Sequence, residues 1–417
     1  MRHFRLLTIR LHSGSWYPVL IDSRTALPHG LAAEWVRAML ESGAQEISAG
    51  RFAKRRYRLG TVIAFLHDLI LFLDWLESQE IDLAERFRKF ESLKKGEVRR
   101  IVNFLSHRRH RSSRVVTPIS YSPSTINRRI LAARSFSSFC FQKFIDLADA
   151  DKQIPGELLL KAQERRFSRT LFPKTSVRIA SKPYATADDE TAQLLVDVLH
   201  PASEVNPYNS PRLKLRNYCL LLVILETGAR TSEVSLLETT DVDERLHQIR
   251  IKYPSKQAKG ARRDGANLKT QARTIGISPE LHAMLGFYIA GPRDDLLNGV
   301  PSNALFPNAR DGKRLSTYGV RNVLKAASQI SLPTATIPKL HVHMFRKRAA
   351  AVLRRGIDRA YADASPLIRA GAMQDMMTYQ FGWSSDSEMP KHYSRKELIR
   401  RLIEIMRETN IQMGLSS

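Results

Sequence analysis

The chain has 417 residues, 66 of them Lys or Arg and 41 Asp or Glu, for a formal charge of +25. With 43% apolar and 26% charged residues it has the material for two or three folded domains, which excludes a disordered or collagen-like chain. Two cysteines exclude a disulfide framework, no run approaches the ~20 apolar residues that span a bilayer, and Met1–Arg10 lacks the apolar core of a secretory signal. A soluble, cytoplasmic protein without membrane contact is expected.

The charge is blocked rather than mixed. Between Val98 and Ile145 there are ten Lys or Arg and no Asp or Glu, and between Lys252 and Arg273 seven basic residues face the single Asp264. Such blocks point to a polyanion, because neutralised phosphates release counterions and supply most sequence-independent affinity for DNA.

In chain order, residues 1–47 alternate weakly (Leu6, Thr8, Arg10; Tyr17, Val19, Ile21), which predicts an N-terminal arm or small β segment. A helical DNA-binding domain is expected over 48–150. Leu59, Val62, Ile63, Leu66, Ile70, Leu73 and Leu76 recur at helical spacing, a second helix is expected near Glu97–Arg109, and a third starts at Ser122-Pro123 and runs to Phe144. Phe65, Phe72, Trp75, Phe136 and Phe139 read as core, and Arg128, Arg129 and Arg134 as one DNA-binding face of the third helix. Residues 151–183, with Pro155, Gly156, Pro173 and Pro183 and no sustained period, read as a basic linker. The last domain, 184–417, is expected to hold helices at Thr186–Leu199 and Asn217–Leu225, strands at Gln248–Lys252 and Arg273–Ile277, and helices thereafter.

Three constellations carry chemistry. In Glu226–Leu237, Gly228 ends the buried helix, and Arg230 and Glu233 lie one turn apart, oriented to grip an oxyanion or to form a plain capping ion pair. In His341–Lys347, His343 and Arg346 share a helical face, pairing a proton-transfer group with a fixed cation. With no neighbouring Cys, Asp or Glu, His341 and His343 do not complete a metal site. After Gly382-Trp383, Tyr393 follows Pro390 in a polar, basic segment and can serve as a nucleophile if its phenolate is stabilised.

Taken together, the order Arg, Lys, His-x-x-Arg, Trp, Tyr resembles the catalytic domain of the tyrosine recombinase (phage integrase) family over most of 184–400. Thr227-Gly-Ala-Arg230-Thr-Ser-Glu233-Val is similar to its first arginine box and His343-Met-Phe-Arg346 to its second. Lys269-Thr270 before Arg273-Thr-Ile-Gly-Ile resembles its lysine-bearing hairpin, chosen over Lys252, Lys256 and Lys259. The 37 residues from Arg346 to Trp383 exceed the family's usual spacing, which implies an insertion near Arg354–Arg369.

The resemblance implies a mainly α protein with a small β-hairpin or sheet in the catalytic domain (α+β), in which a helical core-binding domain and the catalytic domain clamp DNA. It implies a site-specific recombinase that works through a 3′-phosphotyrosyl link without ATP, metal or other cofactor. Tyr393 would be the nucleophile, Arg230 and Arg346 would hold the phosphate, and Lys269 would protonate the leaving oxygen. His343 would assist the tyrosine proton, Trp383 would pack on the nucleophile segment, and Glu233 would support His343 or Lys269. Lys256 and Lys259 join the DNA-binding residues. The implied partners are double-stranded recombination sites, a homotetramer on two sites and accessory proteins, at the nucleoid. Leu398, Ile399, Leu402, Ile405 and Met406 form a stripe suited to a protomer-contacting C-terminal helix. Type IB topoisomerases and telomere resolvases share this chemistry, and an architectural DNA-binding protein with a vestigial site is the reading from another class. The presence of all six positions weighs against a vestigial site.

Overall fold

The computed structural model describes residues 3–42, 57–107, 121–171, 188–252, 268–330, 332, 337–338, 340–387 and 389–390. These fall into two compact units, one up to residue 171 and one from residue 188. The fold is mainly helical with two small sheets.

The first unit opens with an antiparallel hairpin, β1 (Phe4–Arg10) and β2 (Trp16–Asp22), in register from Phe4 opposite Asp22 to Arg10 opposite Trp16. Helices α1 (Gly30–Arg37), α2 (Leu59–Ser78), α3 (Leu83–Arg88), α4 (Lys95–Ser106), α5 (Pro123–Asp146) and α6 (Ala150–Ser168) follow. By length and hydropathy alone α2 could cross a membrane. Its composition instead reflects a central place in the unit. Leu66, Leu69 and Phe72 are fully buried, with Ile130, Phe136 and Phe141 of α5 in the same core. Phe72, Trp75 and Phe136 are buried and Phe65 and Phe139 pack against that core.

Two expectations for this unit need correction. Residues 150–168 are helix α6 rather than linker. Its buried face is Gly156, Leu160, Gln163 and Phe167, a helical spacing hidden from a hydropathy reading because two members are glycine and glutamine. Gly156 is needed because a Cβ there would lie 2.8 Å from both Phe90 and Ile145. The Gln163 side-chain oxygen accepts the Leu93 N–H at 2.8 Å. The remaining linker positions, 172–183, lie outside the described residues.

Nor do Arg128, Arg129 and Arg134 share one face. At about 100° per residue, spacings of one and five set them roughly a third of a turn apart. Arg128 pairs with the buried Asp68 of α2 through two bonds of 2.7 and 3.1 Å. Arg129 donates to the Leu105 carbonyl of α4 and lies 3.8 Å over the Tyr121 ring. Arg134 donates to the Ser168 hydroxyl at the end of α6.

The second unit contains α7 (Asp189–Leu199), α8 (Pro211–Thr227), α9 (Thr231–Leu236), the antiparallel meander β3 (Val242–Asp243), β4 (Gln248–Ile251) and β5 (Arg273–Gly276), then α10 (Pro279–Ala290), α11 (Thr317–Ala327), α12 (Val342–Ala360) and α13 (Pro366–Phe381). Helix α8 is buried on most sides, with Cys219, Leu220, Leu221, Val223 and Ile224 all inaccessible. Ile249 and Ile251 of β4 and Ile275 of β5 turn into the same core. A smaller cluster of Ala350, Ile357, Met377, Phe381 and Trp383 joins α12 to α13. The stretch 354–369 holds the last turns of α12, the connection over 361–365 and the first turn of α13.

Candidate active site

Helix α8 must stop where α12 approaches it, and Gly228 makes the stop. It takes φ +61°, and a Cβ there would lie 2.8 Å from the Phe381 ring and 2.9 Å from Ala349 Cβ. The chain reverses through Ala229 into α9, capped by Arg230. Glu233, in the first turn of α9, accepts the Arg230 backbone N–H at 2.9 Å and its Nη1 at 3.3 Å.

Glu233 is fully enclosed and serves as the meeting point of distant segments. Arg273 Nη2, from the start of β5, donates to its Oε2 at 3.0 Å. The Thr270 hydroxyl, one residue beyond Lys269, donates to Oε1 at 2.7 Å. Arg346 Nη1, from the first turns of α12, lies 3.8 Å from Oε2. Burial pushes this carboxyl up, but Arg273 and Arg346, with the Arg230 N–H and the Thr270 hydroxyl, more than offset it and hold it at about 2. One carboxylate thus answers three guanidinium groups, and the cluster keeps a positive surplus that suits an anion.

The positions picked out in the sequence are placed differently within this cluster. Arg230 keeps a quarter of its side chain exposed, and Lys269 and His343 face solvent. Arg346 is wholly enclosed, donating to the Gly228 carbonyl at 3.0 Å and the Phe381 carbonyl at 2.7 Å, with its guanidinium 4.7 Å over the Phe381 ring. Trp383 is buried against Phe381, 5.5 Å from the same guanidinium. Arg230, Glu233, Arg346 and Trp383 therefore converge, and Lys269 adjoins them through Thr270. Tyr393, Lys256, Lys259 and the stripe from Leu398 to Met406 lie outside the described residues.

Sequence reading missed Arg273. Its guanidinium is as buried as Glu233 and bridges Glu233, Thr270, Gln271 and the Gln380 carbonyl. The available signal was an arginine opening the short strand Arg273–Gly276, three residues after Lys269-Thr270; it read as one more member of a basic block.

Residues 203–363 match the family model described as the phage integrase family. Tyrosine recombinase XerD of Mycobacterium tuberculosis is 29% identical over 166 residues, 40% of this chain and 48% of that protein. Tyrosine recombinase XerC of Pelotomaculum thermopropionicum is 29% identical over 240 residues, covering 56% and 63%. Tyrosine recombinase XerC of Roseiflexus sp. (strain RS-1) is 23% identical over 308 residues, covering 73% and 78%. The chain spans about half the length of the first of these relatives.

Proposed function

We propose that this chain, which belongs to the tyrosine recombinase (phage integrase) family, is a site-specific DNA recombinase that cuts and rejoins strands through Tyr393. The observation that carries this reading is the enclosed Glu233, which gathers Arg230, Arg273 and Arg346 from three separate segments beside the Lys269 loop. A structural ion pair needs one arginine for one carboxylate. A surplus of fixed cations with an exposed member is what a phosphate requires.

In the proposed step the Tyr393 oxygen bonds to a backbone phosphorus as the bond to the 5′-oxygen breaks. The tyrosine proton passes toward His343, and the leaving oxygen takes a proton from the Lys269 ammonium. Arg230, the exposed guanidinium, receives the charge that builds on the non-bridging oxygens. Arg346 stands behind it as a buried cation, and its direct contact with phosphate requires that its cover move aside. Trp383 and Phe381 keep that cation dry. The ester conserves the bond energy, so resealing needs no ATP.

The partner is double-stranded DNA at two recombination sites, with four protomers holding them for exchange, and the place of action is the cytoplasmic nucleoid. The basic residues at 108–114 and 252–263, with Lys256 and Lys259, supply backbone affinity. Nicked duplexes drawn from the DNA flanking the gene test the reading, because loss of the short downstream strand traps a cleaved intermediate. The wild type should yield a covalent adduct that maps to Tyr393 and forms in EDTA. Tyr393→Phe should bind the same duplex within a few-fold and give no adduct. An adduct on another residue, or one retained by the variant, refutes the assignment.

A further inference from the structure

Arg273 does more than neutralise Glu233. Its Nε donates to the Gln380 carbonyl at 2.8 Å, and its Nη1 to the Thr270 hydroxyl at 3.2 Å and the Gln271 carbonyl at 3.3 Å. Its Nη2 donates to Glu233 at 3.0 Å. The Gln271 N–H in turn donates to the Gly382 carbonyl at 3.0 Å. One guanidinium therefore fastens the loop that carries Lys269 to the turn that leads into Trp383, and both to α9.

The packing at this junction leaves no slack. Gly382 adopts φ +60°, and a Cβ on it would meet Arg273 Nη1 at 2.8 Å, the Gln271 carbonyl oxygen at 2.9 Å and Thr270 Cβ at 2.9 Å. Leu268, on the other side of the lysine, is buried in the main core of the unit. Lys269 is thus an exposed side chain on a backbone gripped at both neighbours. The planar fork of arginine suits this junction because it reaches a carboxylate, a hydroxyl and two carbonyls at fixed angles, which the single ammonium of lysine does not.

We propose that Arg273 is a positioning residue that sets the place of Lys269, and through it the protonation of the leaving 5′-oxygen. This rests on the function proposed above, in which Lys269 is the proton donor. Arg273 itself is too enclosed to meet DNA.

The test uses the full chain and two versions of a duplex that the wild type cleaves: the ordinary one, and one whose leaving 5′-oxygen is replaced by sulfur. A thiolate departs without a proton near neutral pH, where an alkoxide does not, so the sulfur duplex bypasses the donor. Arg273→Gln should cleave the ordinary duplex about 10²-fold more slowly, the scale of an ångström-sized misplacement. On the sulfur duplex it should recover to within a few-fold of wild type. Lys269→Ala should show the same pattern, while Arg230→Ala should stay slow on both. Thr270→Val, a milder change at the same junction, should follow Arg273→Gln with a smaller loss and decides the matter if the arginine variant does not fold. If Lys269→Ala is rescued by sulfur while Arg273→Gln and Thr270→Val are equally slow on both duplexes, the positioning role is wrong and the lysine assignment stands. If Lys269→Ala cleaves the ordinary duplex at the wild-type rate, the lysine assignment is wrong and the positioning role falls with it.

Discussion

Gly228 and Phe381 touch so closely that a single added methyl would sit 2.8 Å from the phenylalanine ring, and this contact sets the spacing between the first arginine segment and the turn before Trp383. Gly228→Ala adds that methyl at a left-handed φ. Left-handed strain costs roughly 1–2 kcal/mol and overpacking roughly 1–3 kcal/mol, so a total loss of about 2–5 kcal/mol is expected from denaturant midpoints. An unchanged midpoint would show that the contact relaxes freely.

Arg230 and Arg346 should separate when stability is measured beside cleavage. Each replacement by Ala should slow cleavage by about 10²-fold or more, the scale of losing one oxyanion donor. Arg230→Ala should leave the unfolding midpoint within about 1 kcal/mol, because its side chain is partly exposed. Arg346→Ala should also cost about 3–5 kcal/mol, because it leaves two buried carbonyls without their donor and removes one of the two buried cations beside Glu233. Equal effects on stability would contradict the enclosed placement of Arg346.

The depressed Glu233 carboxyl predicts a pH signature. Its value in the fold is about 2 against an ordinary 4.5, so the unfolded chain takes up the proton first as pH falls. The stabilisation is fully present above pH 4.5 and disappears as pH drops through 2, amounting to about 3 kcal/mol. Glu233→Gln should be less stable at pH 7 and should lose less stability than wild type between pH 5 and pH 2.5. Parallel curves for the two proteins would show that the carboxylate is not the titrating group.

Gln163 tests the place of α6 in the first unit. Gln163→Ala removes the acceptor of the buried Leu93 N–H, and an unsatisfied buried donor costs about 1–3 kcal/mol. Were residues 150–168 a solvated linker, the change would register nothing in thermal unfolding.

Sequence pattern exposed the elements whose apolar residues keep a strict period. The alternation at Leu6–Arg10 and Tyr17–Ile21 corresponds to β1 and β2, the Leu59–Leu76 stripe to α2, and Ser122-Pro123 to the start of α5. It failed where a buried face is built from other residues, as with Gly156 and Gln163 in α6, and where an element is too short to show a period, as with β3. Of the candidate site, Arg230, Glu233, Arg346 and Trp383 stand out in the sequence because their motifs are local, and the fold brings their side chains together. Arg273 was not, because its partners Glu233 and Gln380 lie 40 and 107 positions away and only the fold brings them together. Arg128, Arg129 and Arg134 misled for a simpler reason: clustering in sequence is not clustering on a helix.

Sharing one carboxylate among three cations also has a bearing on safety. On the proposed function, a half-made form of the protein would be a hazard to DNA. Gly228 is synthesised 118 residues before Arg346, its bonding partner, and the Phe381 carbonyl that completes the grip comes 35 residues later still. Until that last turn is in place, Arg346 lacks its second carbonyl, and the Lys269 loop, though held to Glu233 through Thr270 and Arg273, lacks its bonds to Gln380 and Gly382. If the chain acts as proposed, one that ends before Phe381 carries Arg230, Lys269, His343 and Arg346 with the cluster still unfinished, and is expected not to nick DNA.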